Sequence, residues 1–186
     1  MWRAVEPIYE TLFGVIETLA GEPNNPQATG TKLFKSFDRG FWFREDCKHK
    51  LDEFPYAFLD QPTTTQIDEY QSPSVFQYDI DIPLFILIHK HKQSNLFFNE
   101  TSDPDGPGVV ELARSIGGEF YRLYKGGLPF QPPPIDWHVI RWTLGDMRRP
   151  RLAELTKYLD NDFIAGVEFP FIFRVRENGP IGPGGN

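Results

Sequence analysis

The chain has 186 residues, 40% of them hydrophobic, which suits one domain with a real core. Its formal net charge of −7 argues against gripping nucleic acid over a broad basic surface, though not against letting DNA slide past. The single cysteine, Cys47, leaves no intrachain disulfide to form, which fits a reducing cytosol, and no apolar run approaches the roughly 20 residues a membrane span needs.

Residues 4–19 predict an amphipathic helix, because Val5, Ile8, Leu12, Val15, Ile16 and Leu19 recur at helical spacing. Glu6 and Glu10 fall in its first turns, where the helix dipole favours negative charge, and Gly21 is a plausible stop. Glu6, Pro7, Glu10 and Glu17 interrupt any signal-peptide core. After the loop "EPNNPQATG", the stretch "TKLFKSFDRGFWF" packs Leu33, Phe34, Phe37, Phe41, Trp42 and Phe43 without a clean period, and reads as an irregular strand or extended arm. "DCKHKLDE" is a polar connection, "FPYAFLDQ" a short buried strand with Pro55 at its start, and "PTTTQIDEYQSPS" a loop.

"FQYDIDIPLFILIHKHK", residues 76–92, predicts a long strand with an unusual pattern. Its even positions are apolar from Phe76 to Ile88. Its odd positions begin polar, with Gln77, Asp79 and Asp81, then turn apolar with Pro83, Phe85 and Leu87. A strand far longer than the usual 5 or 6 residues is expected to overhang its own sheet. The end carrying Phe85 and Leu87 then needs a second cover, either a helix of the same chain or a neighbouring subunit. At the far end His89 and His91 share one face and could chelate a metal, but no third ligand is visible. A solvated strand end whose lysines, Lys90 and Lys92, deter edge aggregation is the preferred reading.

"SDPDGPG" is a turn that lacks the spaced ligands of a calcium loop. Residues 109–124 predict a second helix with Val109, Leu112, Ala113, Ile116, Phe120 and Leu123 on one face. Its Gly117–Gly118 pair weakens it or lets something pack close. After "GGLPFQPPP", "DWHVIRWTLGD" predicts a strand with Ile140, Trp142 and Leu144 on one face. "MRRPRLAELTKYLDND" is a connection. In the last strand the odd positions from Phe163 to Val175 are all apolar. This order predicts an α+β fold: a mainly antiparallel sheet flanked by two helices, with extended arms and loops. The helices cover one sheet face, so the other face must do something else. One domain is expected over residues 1–176, with residues 177–186 as a flexible Gly/Pro tail. Segments 22–46, 61–74 and 177–186, rich in Pro, Gly and polar residues, are expected to order only in an assembly.

No residue pattern dictates catalysis. Cys47 with His49 is a weak nucleophile cue, Asp52, Glu53 and Asp60 read as loop charges, and no phosphate loop follows a strand. Arg148, Arg149 and Arg151 form a basic cluster, either a solvated loop or a subunit or DNA contact. No cofactor and no metal are expected.

The segment carrying Phe34, Ser36, Phe37 and Arg39, leading to Trp42, and the strand Pro55, Tyr56, Ala57, Phe58 and Leu59 resemble the tail terminator and neck-type proteins of long-tailed bacteriophages. A long strand, an amphipathic helix and a closing strand pair complete the likeness, which covers most of residues 4–176 as a pattern of elements. The insert at 61–74, the proline-rich passage at 127–134 and the Gly/Pro tail depart from it. The resemblance implies a tail-terminator-like domain that forms a homo-oligomer, a hexameric ring capping the tail tube and joining it to the head connector. Implied partners are the tail tube protein and head–tail connector or stopper proteins, with DNA passing through the bore without sequence-specific binding and no membrane. The implied location is the virion neck, after assembly in the host cytoplasm. Arg39, Trp42, Phe85, Leu87, Arg148, Arg149 and Arg151 are the candidate subunit-interface residues. A different tail completion or baseplate component is the alternative, and a metal-dependent hydrolase using His89 and His91 a weaker one.

Overall fold

The computed structural model describes residues 2–20, 33–40, 54–67, 75–89, 108–130, 133–150 and 164–178. Among these residues eight elements follow one another: α1 (Val5–Ala20), β1 (Ser36–Arg39), β2 (Tyr56–Leu59), β3 (Thr63–Gln66), β4 (Val75–His89), α2 (Val109–Tyr124), β5 (Trp137–Leu144) and β6 (Ile164–Asn178). The strands form one sheet in the order β1-β2-β4-β6-β5, with β3 also on β4. All pairings are antiparallel except β1 with β2. The chain is therefore an α+β fold with a mainly antiparallel sheet and two flanking helices, as its element order predicts.

The even positions of β4, from Tyr78 to Ile88, and the odd positions of β6, from Ala165 to Val175, face the helices and form the main core. α1 contributes Ile8, Leu12 and Ile16 to it, and α2 contributes Leu112, Ile116 and Phe120, all at most 1% exposed. α1 lies toward β1 and β2: the Tyr9 hydroxyl donates to the Leu59 carbonyl at 3.1 Å, and Phe13 stacks on Phe37. α2 lies toward β5 and β6, with Phe120 edge-on to both Trp142 and Phe171. Gly117 is the close-approach glycine of its pair: a Cβ there would sit 3.2 Å from Leu144 Cδ1, whereas one at Gly118 would meet nothing within 4 Å. In the last turn, contact with the sheet passes to Tyr124, whose carbonyl accepts the Trp142 indole N–H at 3.0 Å. Leu123, expected on the apolar face, is consequently 42% exposed.

The long strand does not overhang. β4 pairs with β6 over all 15 residues, from Val75 opposite Asn178 to His89 opposite Ile164. Its other edge is divided: β2 takes Leu84–Leu87 and β3 takes Tyr78–Asp81. The chain turns between them where the Asp60 N–H bonds the Pro83 carbonyl at 3.0 Å. The length of β4 is matched because β6 is equally long, a partnership between segments far apart in sequence.

The second face of the sheet explains the change in pattern along β4. At one end Tyr56, Phe58, Phe85, Leu87 and Ile164 form a second buried cluster with Phe54. Phe58 stands directly opposite Phe85 in the register, and their rings stack at 4.7 Å and 4°. Phe85 is 2% and Leu87 0% exposed within the single chain. The expectation that these two present a surface to a neighbouring subunit is therefore corrected, since the chain itself already excludes solvent from them. The polar end, with Gln77, Asp79 and Asp81, stays half-buried.

Three further boundaries differ from the sequence reading. β1 and β3 form within segments 22–46 and 61–74, where order was expected only on assembly, because each adds to an exposed strand edge. β6 continues through Asn178, whose N–H bonds the Asp136 carbonyl at 2.8 Å. Ile140 does not share a face with Trp142 and Leu144. A bulge between Val139 and Arg141 shifts the register, so Trp137 and Val139 point inward before it and Trp142 and Leu144 after it, leaving Ile140 45% exposed.

Candidate functional site

Strand alternation decides which side chains reach the outer sheet face. Arg174 and Arg176 are two residues apart on β6, so both point away from the core, about 6.6 Å apart along the strand. The register sets Arg141 opposite Arg174 and His138 opposite Arg176 on one side, and Asp79 and Gln77 opposite the same pair on the other. The result is a shallow concavity of about 410 Å³ lined by Gln77, His138, Ile140, Arg141, Arg174 and Arg176. Asp79 neutralises Arg174 through a two-pronged ion pair, both contacts at 2.8 Å. Among the described residues, no carboxylate lies within ion-pair distance of Arg141 or Arg176. A chain of net charge −7 thus gathers cations on this face.

The bulge at Ile140 carries this surface around the edge of the sheet. β5 is an outer strand, paired with β6 alone among the described strands. Beside it, a groove of about 540 Å³ runs between β5 and the end of α2, lined by Tyr121, Leu128, Phe130, Ile140, Arg141 and Trp142 among others. Tyr121 is 61% exposed, with its ring 6.0 Å from that of Trp142. Phe130 stands edge-on to Trp137 at 5.1 Å. Aromatic, aliphatic and arginine side chains around a strand edge left unpaired among the described residues are the composition of a protein-binding surface.

Nearer the second cluster, Glu168, Arg148 and Asp81 lie together. Glu168, 4% exposed, accepts from Arg148 Nε at 2.9 Å, and the two residues exchange both backbone hydrogen bonds at 2.8 Å. Asp81 lies close enough to feel both. Burial pushes its carboxyl above the usual range, Arg148 pulls it down and Glu168 adds to the rise, with a net increase. Its Oδ1 is buried without a hydrogen-bond partner. A second buried carboxylate among the described residues, Glu177, holds the start of the chain: the Tyr78 hydroxyl donates to it at 2.8 Å and the Arg3 N–H at 3.1 Å. Burial raises Glu177, but the hydrogen bond from Tyr78, the N-terminal amine and the Arg3 N–H together outweigh it and leave the carboxyl below its ordinary value. The same burial and hydrogen bond push the Tyr78 phenol well up.

The sequence-predicted residues are dispersed. Arg39 lies on the opposite edge, bound to Glu10 at 2.6 Å and stacked 4.5 Å over the Phe13 ring. Phe85 and Leu87 are interior. Arg148 is committed to Glu168, and Arg149 is exposed. Trp42 and Arg151 lie outside the described residues, as do Cys47, His49, Lys90, His91 and Lys92. His89 is half-buried with its ring 5.9 Å from that of Phe54. Among the described residues, no three of His, Cys, Asp and Glu come together as a metal site, and no helix is long and apolar enough to cross a membrane. The residues missed by sequence reasoning are Arg141, Arg174 and Arg176. The signal available for two of them was their outward phase in the alternating last strand.

A scan against protein-family models finds no match, and a search of curated proteins finds none either.

Proposed function

We propose that the chain is a structural virion protein of a long-tailed bacteriophage, forming a ring that caps the tail tube and joins it to the head connector. The observation that carries this reading is the β5 flank: an outer strand edge bordered by exposed Tyr121 and Ile140 and by the arginines of the outer sheet face. Such a surface suits association with protein, and a domain that presents it at one end of a sheet suits a closed ring. The α+β architecture and the order of its elements support the resemblance to tail terminator and neck proteins. The chain's net acidity suits a bore through which DNA passes with little friction. The partners in this reading are further copies of the chain, the tail tube protein and the head-side connector.

Antibodies raised against the protein, applied to intact particles of the phage that carries it, test the placement. Gold label at the head–tail junction is the expected result. Label at the distal end of the tail would replace the neck assignment with a baseplate one.

A further inference from the structure

Resting on the ring reading, we infer that the β5 flank of one copy docks head to tail against the α1–β1 flank of the next copy of this chain. The two flanks lie at opposite edges of the sheet, since β1 and β5 end the strand order. They are also opposite in charge. Glu6, Glu10, Phe13 and Glu17 recur at helical spacing and share one stripe of α1. That stripe turns toward β1, because Phe13 stacks on Phe37 at 4.6 Å and Arg39 of β1 reaches Glu10. Glu6 and Glu10 are exposed and Glu17 is half-buried. Arg39 offsets part of this charge. The β5 flank offers the complement in Arg141 and Arg176.

The apolar parts match in kind. The half-exposed Phe13–Phe37 stack borders the acidic stripe, and the Tyr121–Trp142 groove borders the arginines. Charged pairs fix register while aromatic contacts supply buried area. Because the two surfaces differ, the contact is heterologous: each copy keeps one free flank until the last closes the set. A nucleic acid on the same cationic face would leave the exposed Tyr121 and Ile140 without a role.

Charge reversal tests the pairing. The doubly substituted proteins Arg141→Glu/Arg176→Glu and Glu6→Arg/Glu17→Arg are compared with wild type by light scattering behind size exclusion, with circular dichroism to confirm folding. Each reversal alone is expected to remain folded and elute as a single 21.5 kDa chain. Mixing the two proteins is expected to restore the assembly, because an acidic β5 flank then meets a basic α1 flank. If wild type assembles and both reversals assemble equally well, the pairing is wrong and the ring reading stands. If the arginine reversal leaves assembly intact but abolishes binding of a 30-base-pair duplex at low salt, the face serves nucleic acid and the inference falls. If wild type stays monomeric at every concentration, the ring reading falls with it.

Discussion

Asp79 on β4 and Arg174 on β6 stand directly opposite each other and close a two-pronged ion pair, Nε to Oδ1 and Nη2 to Oδ2, each 2.8 Å. Two residues on, Asp81 stands opposite Ile172 and finds no such partner. Similar residues in a similar sequence pattern thus have opposite fates, decided by what the neighbouring strand sets across from them.

The Asp79–Arg174 pair is mostly shielded, with each side chain 27% exposed. A double-mutant cycle of Asp79→Ala and Arg174→Ala, followed by urea unfolding, is expected to show a coupling of about 1 kcal/mol, above the median for exposed pairs because the geometry is bidentate. A coupling indistinguishable from zero would mean that water screens the pair fully.

Asp81 carries the opposite sign. Its folded-state pKa is raised, so its contribution is most favourable below the unfolded value of about 3.9 and declines as pH rises through the folded value. Asp81→Asn is therefore expected to raise the melting temperature at pH 7, with the gain vanishing near pH 3, where the carboxyl is neutral in both states. A lower melting temperature at pH 7 would show that Arg148 depends on this carboxylate.

Glu177 behaves in the reverse way. Its pKa is lowered, so the stability it contributes is present above the unfolded value of about 4.3 and is lost as pH falls through the folded value. Glu177→Gln is expected to cost about 1–3 kcal/mol at pH 7, because it weakens the contacts from Tyr78 and Arg3 inside the protein. In urea titrations at pH 7, 5 and 3, the difference from wild type should persist at 5 and shrink at 3. A difference that grows in acid would contradict the assignment.

Leu87 is fully enclosed by its own chain. Leu87→Asp places a charge among Tyr56, Phe58 and Phe85 at a cost of several kcal/mol, a large part of the ~5–15 kcal/mol that holds a domain folded. Loss of the far-UV circular dichroism of the folded state is the expected outcome. A variant that stays folded and loses only assembly would return this cluster to the subunit interface.

The periodic elements were legible in the sequence. Val109 to Tyr124 repeats at helical spacing and is helical over that range, and the alternations of β4 and β6 mark two long strands because both bury a face against helices. What stayed hidden depends on pairing between distant segments. "TKLFKSFDRGFWF" does not reveal that Ser36–Arg39 runs parallel to Tyr56–Leu59, and "PTTTQ" gives no sign that exposed Thr63–Gln66 borders β4. The extra residue at Ile140 takes that side chain off the face that "HVIRWTL" assigned it with Trp142 and Leu144. The site suffered most: the arginines clustered in sequence, Arg148 and Arg149, are not those that gather in space, since Arg141, Arg174 and Arg176 come from two strands joined by register alone.

Negative-stain images of the purified protein test the central claim most directly. The account predicts closed rings with sixfold symmetry and a central bore wide enough for duplex DNA. Particles that remain single chains at high concentration, or that grow into open filaments without closing, would contradict it.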